Sequence, residues 1–313
     1  MELFGHTTDL ACAPVRLLGE HGMFQDDVGR ADWIAADPVH LRLEQERLVL
    51  AGGEMLDIDD EEAAALADAL NSHFLDLGTF RAATPNRWYL QLAGGRSSDA
   101  LLRLDSPTPS AVAGRSVESL LTELTEEREV RRFLNEAQTM LHAHPVNQQR
   151  DAAGRATINS LWLWGGGRLP QRTGTGMEFD TVYSADALVR GLARFNRMTE
   201  LPPVDGADAL FAAAPVQHAL AILDDLSGPV QYEDGAGYRR ALLDLESRWF
   251  RPAWRALADG RLGRLNLLAP CAFGRLNWEA GRSTTWRFWH PAKPLAQTVS
   301  MLAGTTRNQA KND

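Results

Sequence analysis

The sequence predicts an α/β protein whose main sheet carries helices on both faces, joined to a smaller α+β part. Three observations predict it. In the second half, short apolar runs alternate with amphipathic helical stretches. In the first half, paired strands accompany one helix. Between them, residues 158–164 are apolar except for Asn159 and Ser160, and end in Gly165, Gly166 and Gly167. That run reads as a buried strand.

Residues 1–35 are weakly patterned; Leu17, Leu18, Met23 and Phe24 are candidates for packing. Val39, Leu41 and Leu43 alternate, and 48–50 resume after a polar break, which predicts a hairpin. Asp57 or Asp59 then caps a helix with acidic Glu61 and Glu62 in its first turn. Ala63, Leu66, Ala67 and Leu70 mark its inner face. Residues 88–92 read as a strand after the break Thr84, Pro85, Asn86. The stretch 94–116 reads as loop, with a short strand at 101–104. A long helix follows over 117–143, with a candidate break at Thr125.

After the glycines, 171–176 reads as a polar loop and 181–184 as a strand. Ser184 is placed as the N-cap of a helix running to Asn196, with Ala187, Leu188, Gly191 and Leu192 inward. A strand at 201–204 completes a βαβ unit. Helices are expected at 216–226 and 238–259, and strands at 265–268 and 286–289. The tail 305–313 is polar and expected to be disordered.

The chain has 313 residues, 44% hydrophobic and 23% charged, with a net charge of −9. Lys293 and Lys311 are the two lysines; every other basic residue is Arg. Arg suits bidentate contacts with carboxylate or phosphate. No Lys/Arg-rich run appears, so no nucleic-acid partner is expected. Apolar runs fall far short of the ~18 residues that span a bilayer, and no signal peptide is read, so no membrane partner is expected. Cys12 and Cys271 form no CxxC pair, and a reduced cytoplasmic protein is the expectation.

The eight histidines show no HxxxH or HExxH spacing. His144 reads as a helix C-terminal residue facing the dipole. The glycines are followed by no GK[ST] and form no dinucleotide fingerprint. They either let a backbone approach a ligand, at the strand end where open α/β sheets hold ligands, or make a tight turn that lets Trp162 and Trp164 pack. Trp249 and Trp254 with Arg248, Arg251 and Arg255 read as core packing with snorkelling Arg, or as a partner surface. Trp278, Trp286 and Trp289 carry the same ambiguity.

His144, Pro145, Val146, Asn147, Arg150, Gly154, Asn159, Trp162, Leu163, Trp164, Gly165, Gly167 and Pro170 form a recognisable run. TVYSADALVRGLARFNRM, with Asp186 and Gly191, continues it. The run resembles the archaeal-type, cofactor-independent phosphoglycerate mutases, metal-dependent enzymes of the alkaline-phosphatase superfamily. The whole chain also resembles a bacterial group of RpfE-type regulatory proteins. The resemblance implies an alkaline-phosphatase-like core sheet and an inserted substrate domain. It divides the chain into a truncated start of the core (1–35), an α+β insert (36–143), the α/β core (144–304) and a tail (305–313).

Departures from the family pattern decide the functional expectation. The family places a metal-binding Asp and a phosphorylated hydroxyl at its start; this sequence offers only His6, Thr7, Thr8 and Asp9. Where an Asp and His pair belongs, 230–237 offers Glu233 and Asp234. After the strand at 265–268, where a further Asp–His belongs, stand Ala269, Pro270 and Cys271. Two-metal phosphoryl chemistry needs carboxylates and imidazoles at these places. The expectation is therefore a non-catalytic regulatory or ligand-binding protein without a metal site or cofactor. The alternative is a metal-dependent phosphomutase or phosphotransferase with relocated ligands. Asn147, Arg150, Asn159 and Arg168 are expected to line a polar pocket beside Gly165, Gly166 and Gly167. An anionic small molecule and a protein are the expected partners.

Overall fold

The structure, a computed structural model, describes residues 10–20, 28–44, 46–169, 179–213, 217–231, 233–271, 274–286 and 297. It is a mixed α/β protein with a central sheet flanked by helices. The described chain divides into two compact units: Met1–Pro203 with Val216–Asp234, and Val204–Pro215 with Gly235–Asp313.

The first unit is organised by one long strand, β1 (Asp32–Glu44). Its edges are shared among three partners, all antiparallel. Along one edge lies β5 (Ser160–Arg168), with Val39 opposite Ser160 and Asp32 opposite Arg168. Along the other, Trp33 to Ala35 pair with β4 (Arg87–Leu92), and Val39 to Glu44 pair with β2 (Arg47–Gly52). β3 (Gly78–Thr84) adds outside β4. The sequence hairpin at 39–50 is β1 and β2. The strand with the three glycines is β5, and it runs on through them.

Side chains alternate across this sheet with period two. Ile34, Ala36, Leu90, Leu161 and Leu163 join one buried cluster. Trp33, Ala35, Val39, Tyr89, Trp162 and Trp164 join the other. On the first face lie α2 (Asp60–His73), α3 (Arg96–Leu102) and α6 (Arg128–Ala143), through Leu66, Leu70, Leu101, Phe133 and Leu141. On the second lies α1 (Cys12–Gly19), through Ala13 and Leu17. A strand buried on both faces reads as a continuous apolar run, which is why 158–164 lacks clean alternation. The boundary expected between 143 and 144 cuts this sheet, because β5 pairs along β1.

Capping explains several helix ends. Asp59 caps α2: its carboxylate accepts from Glu62 N at 2.8 Å, and Glu62 answers from the other side. After α4 (Pro109–Val112) comes α5 (Glu118–Leu124), and the expected long helix breaks at Thr125 before α6. Residues 101–104 were expected as a strand; Leu101 and Leu102 instead end α3, where Leu101 packs into the core. His144 stands at the C-cap of α6, as expected, and its side chain serves the next helix as well. It joins α6 to α7 (Pro145–Ala152), and its Nδ1 accepts from Val146 N at 3.2 Å. Burial pushes this imidazole below its ordinary range, which favours the neutral acceptor.

A three-stranded parallel sheet completes the first unit. β6 (Thr181–Tyr183) lies between β7 (Thr199–Leu201) and β8 (Ala219–Ala221). α8 (Ala187–Phe195) connects β6 to β7. Its N-cap is Asp186, accepting from Val189 N at 2.9 Å, rather than Ser184, whose hydroxyl accepts from Asp186 N at 3.0 Å. The helix expected over 216–226 is replaced at 219–221 by β8; α10 (Ser227–Gln231) comes only afterwards. α8 crosses α1 at two glycines. A Cβ on Gly191 would lie 1.8 Å from Val15 O, and one on Gly19 1.8 Å from Ala187 O. Only glycine permits that approach.

In the second unit, α9 (Ala207–Ala212) precedes α11 (Gly235–Leu245), a π turn (Glu246–Phe250) and α12 (Arg251–Ala258). The helix expected over 238–259 is present, continuous over 235–258 through the π turn. β9 (Arg264–Cys271) and β10 (Gly274–Gly281) form a hairpin. Trp286 ends a 3₁₀ turn rather than starting a strand. The expected loop at 171–176, residues 287–289 and the tail 305–313 lie outside the described residues.

Candidate functional site

The polar residues singled out in the sequence have definite partners. Asn147 is buried; its amide donates to Leu141 O and Ile158 O at 2.7 Å and accepts from Ile158 N at 2.7 Å. Asn159 accepts from Leu41 N and donates to Leu41 O, each at 2.8 Å, acting as a side-chain rung between β5 and β1. Arg150 is 1% exposed. Its guanidinium donates to Ala156 O at 2.8 Å, to Glu62 Oε2 at 2.6 Å and to Leu56 O. Arg155 reaches the same carboxylate at 3.0 Å. Arg168 pairs with Asp32 at the half-exposed end of β5, 2.9 Å away. The four side chains share no partner; Asn147, Arg150 and Asn159 bond to the protein, and Arg168 is held by Asp32 at the surface.

The glycines do admit a close approach, and α1 makes it. A Cβ on Gly165 would fall 2.8 Å from Cys12 Cβ, and one on Gly167 2.6 Å from Ala11 Cβ. Gly165 (φ 63°) and Gly167 (φ 146°) also need glycine's backbone freedom. A Cβ on Gly166 would lie 3.4 Å from Ile34 and Leu102 side-chain carbons.

The structure brings together a polar centre that the sequence reading missed. Arg16 of α1 enters the sheet face with its guanidinium carbon 4.6 Å from the Tyr89 ring centre and 4.7 Å from that of Trp164. Both outer nitrogens meet the Asp37 carboxylate, at 2.7 and 2.8 Å. Asp37 also accepts from Trp164 Nε1 at 2.8 Å and Trp88 N at 3.1 Å. Asp37 lies where β1 passes from pairing with β4 to pairing with β2, so its carboxylate supplies an acceptor the ladder lacks there. Burial alone would depress the Arg16 guanidinium, but Asp37, with Tyr89 and Glu20 beside it, holds it above its ordinary value. The pair is 6% and 5% exposed, closed to a ligand. One signal was present in the sequence: a lone Asp inside the apolar stretch 33–39, and a lone Arg inside 13–18.

Glu20 extends this centre. It accepts from Arg87 Nε at 2.7 Å and from the Tyr89 hydroxyl at 2.8 Å. Burial raises its carboxyl, yet Arg87, Tyr89 and Arg16 together leave it below the usual range. Glu200 behaves alike: burial raises it, and hydrogen bonds from Arg194 and Arg190 outweigh that. A depressed carboxylate contributes stability above its unfolded value and loses it as pH falls through the folded one. Stability against urea unfolding should therefore fall steadily once pH drops below about 4.5, the ordinary value of these carboxyls. Glu20→Gln should flatten part of that fall; an unchanged pH profile would remove Glu20 from the account.

The C-terminal ends of β6 and β8 are where such a parallel sheet holds ligands. Here the residues are Ser184 and Asp186 after β6, and Asp224 and Asp225 after β8. Asp186 already occupies the α8 N-terminus. The family resemblance implies a pair of divalent ions, and the described residues at the corresponding places offer few ligand atoms for them. Ala269 and Pro270 lie within β9, opposite Leu276 and Arg275, and offer no ligand atoms on their side chains. Asp234 N donates to Pro229 O, closing a turn after α10. Among the described residues, no three His, Cys, Asp or Glu side chains are grouped to share an ion. His6, Thr7, Thr8 and Asp9 lie outside the described residues. No described helix is long and apolar enough to cross a membrane.

No family model matches the chain. Two curated proteins are similar over part of it. The 2,3-bisphosphoglycerate-independent phosphoglycerate mutase 2 of Methanothermobacter thermautotrophicus is 32% identical over 115 residues, 36% of this chain and 27% of that protein. A probable enzyme of the same name from Geobacter sulfurreducens is 31% identical over 87 residues, 27% of this chain and 22% of that one. The matched stretches thus span about a quarter of each relative. Among solved structures, PH0037 from Pyrococcus horikoshii covers 79% of this chain and 62% of its own, at 15% identity and a TM-score of 0.40. The cofactor-independent phosphoglycerate mutase of Thermoplasma acidophilum covers 80% and 71%, at 19% identity and 0.34. Over the stretches matched by the two curated proteins, the chain is phosphoglycerate-mutase-like.

Proposed function

We propose that this chain is a non-catalytic regulatory or ligand-binding protein of the RpfE type, derived from a phosphoglycerate-mutase-like ancestor and, with two cysteines that form no CxxC pair, working in the cytoplasm. One observation carries the reading. The run resembling the mutases spends its polar groups on the fold: Asn147 and Asn159 on backbone, Arg150 on Glu62 and Leu56. What the chain keeps of the mutases is a way of building a sheet. Alanine and proline at 269 and 270 support the same reading, because neither supplies a metal ligand. Action through a protein or an anionic metabolite follows from the reading.

The rival is a phosphomutase or phosphotransferase whose ligands have moved, favoured by the partial likeness to two phosphoglycerate mutases. A coupled assay separates the two. Purified protein given Mn²⁺ and 3-phosphoglycerate should show no 2-phosphoglycerate formation, and dialysed protein should retain no stoichiometric Mn or Zn. Turnover that disappears in a Thr7→Ala, Thr8→Ala variant would establish the rival.

A further inference from the structure

The second unit carries an aromatic and basic surface that nothing above uses. In β9 and β10, Leu267 stands opposite Trp278, and both are partly exposed, 36% and 42%. Trp254 of α12, 39% exposed, stacks on Trp278 with ring centres 6.2 Å apart and planes 27° apart. Helix α12 buries Ala253, Ala256 and Leu257 and turns Arg251, Trp254 and Arg255 outward, one face at i, i+3 and i+4. Arg251 leans on Glu246 at 3.6 Å with its side chain 60% exposed. Arg255 has no ion-pair partner among the described residues. Residues 235–286 hold nine arginines against four carboxylates, in a chain whose overall charge is −9.

We infer that this face docks an acidic segment of a partner protein, one that alternates carboxylates with an apolar side chain. It deepens the proposed regulatory reading and rests on it only for the existence of a partner. The stacked indoles offer flat apolar area at low entropic cost, and Trp and Arg dominate binding hot spots. Arg251 and Arg255 present planar forks suited to carboxylates on either side of the indole. The rest of the chain is net acidic, so an acidic partner is favoured at this basic patch over the remainder of the protein. A polynucleotide fits less well. It needs a continuous row of free cations, and Arg248, Arg261 and Arg264 lie 2.7, 3.7 and 3.2 Å from Asp205, Asp259 and Glu279.

The test uses the full chain and a fluorescein-labelled peptide of alternating Glu and Leu, read by anisotropy. The peptide should bind, and its Gln-for-Glu counterpart should not. Arg255→Glu, a surface change, should weaken binding about tenfold, and Trp278→Ala should do at least as much, the size of a hot-spot loss. Circular dichroism checks that each variant keeps its fold. Equal binding of both peptides, no binding at all, or full affinity in Arg255→Glu would overturn the inference. So would tighter binding of a single-stranded oligonucleotide, or a stable dimer that Trp278→Ala dissolves. Failure here is separable from failure of the proposed function: mutase turnover with intact peptide binding would sink only the latter.

Discussion

Replacing Asp37 with alanine should cost the first unit roughly 3–5 kcal/mol of unfolding free energy, the toll of leaving a buried charge without its partner. Arg16 would remain between two aromatic rings, 6% exposed, with no carboxylate for its outer nitrogens. Trp164 Nε1 and Trp88 N would lose their acceptor as well. Unpaired buried donors add about 1–3 kcal/mol each unless water replaces the acceptor. The loss is a large share of the roughly 5–15 kcal/mol that holds an ordinary domain together. The double replacement Arg16→Met, Asp37→Leu should cost much less, because an apolar pair of similar volume brings no unpaired charge. Urea unfolding of the two single variants and the double measures the coupling. A loss under about 1 kcal/mol for Asp37→Ala would mean that water or a neighbour already serves Arg16.

Arg150 should be nearly as costly, for a different reason. Its guanidinium joins three parts of the chain: Glu62 in α2, Leu56 ahead of α2, and Ala156 ahead of β5. Arg150→Ala leaves the Leu56 and Ala156 carbonyls without this donor and a cavity where the side chain was. It also removes the closer cation from Glu62, which keeps only Arg155. Breaking a buried pair of this kind costs about 3–5 kcal/mol. Arg150→Lys should recover little, since one ammonium cannot address acceptors spread around a planar fork.

Periodicity made much of the fold legible before any coordinates. The acidic cap and the spacing of Ala63, Leu66, Ala67 and Leu70 placed α2 at its proper residues. The apolar run at 158–164 identified β5, and Thr125 marked the break between α5 and α6. Failures came where tertiary pairing overrode local preference. Ala219, Leu220 and Ala221 favour a helix by propensity, yet their backbone completes a parallel ladder on β6. At 101–102, two leucines allow helix or strand, and burial at the end of α3 decides. Sheet membership was hidden too. Nothing in the composition of 144–170 announces that β5 pairs with β1, more than a hundred residues earlier.

The candidate site was legible in one half only. The glycines signalled a close approach, and there is one, made by Ala11 and Cys12 at the start of α1. A glycine row shows that something comes near, and says nothing about whether it is a ligand or a helix. Arg and Asn near such a row suggest an anion equally well whether they face it or tie loops. Arg16 and Asp37 were missed because each stands alone among apolar neighbours, and long-range pairs leave no local spacing to read.

Phosphoester protection of wild-type and Arg150→Ala protein tests most directly whether the run that resembles the mutases is scaffold. Both proteins would be unfolded in urea with and without 3-phosphoglycerate and Mn²⁺. Arg150→Ala should be weakened by about 3–5 kcal/mol, and phosphoester should not protect the wild type. A wild type stabilised by about 2.7 kcal/mol at a hundredfold excess over its dissociation constant, with Arg150→Ala as stable as the unliganded wild type and unprotected, would contradict it.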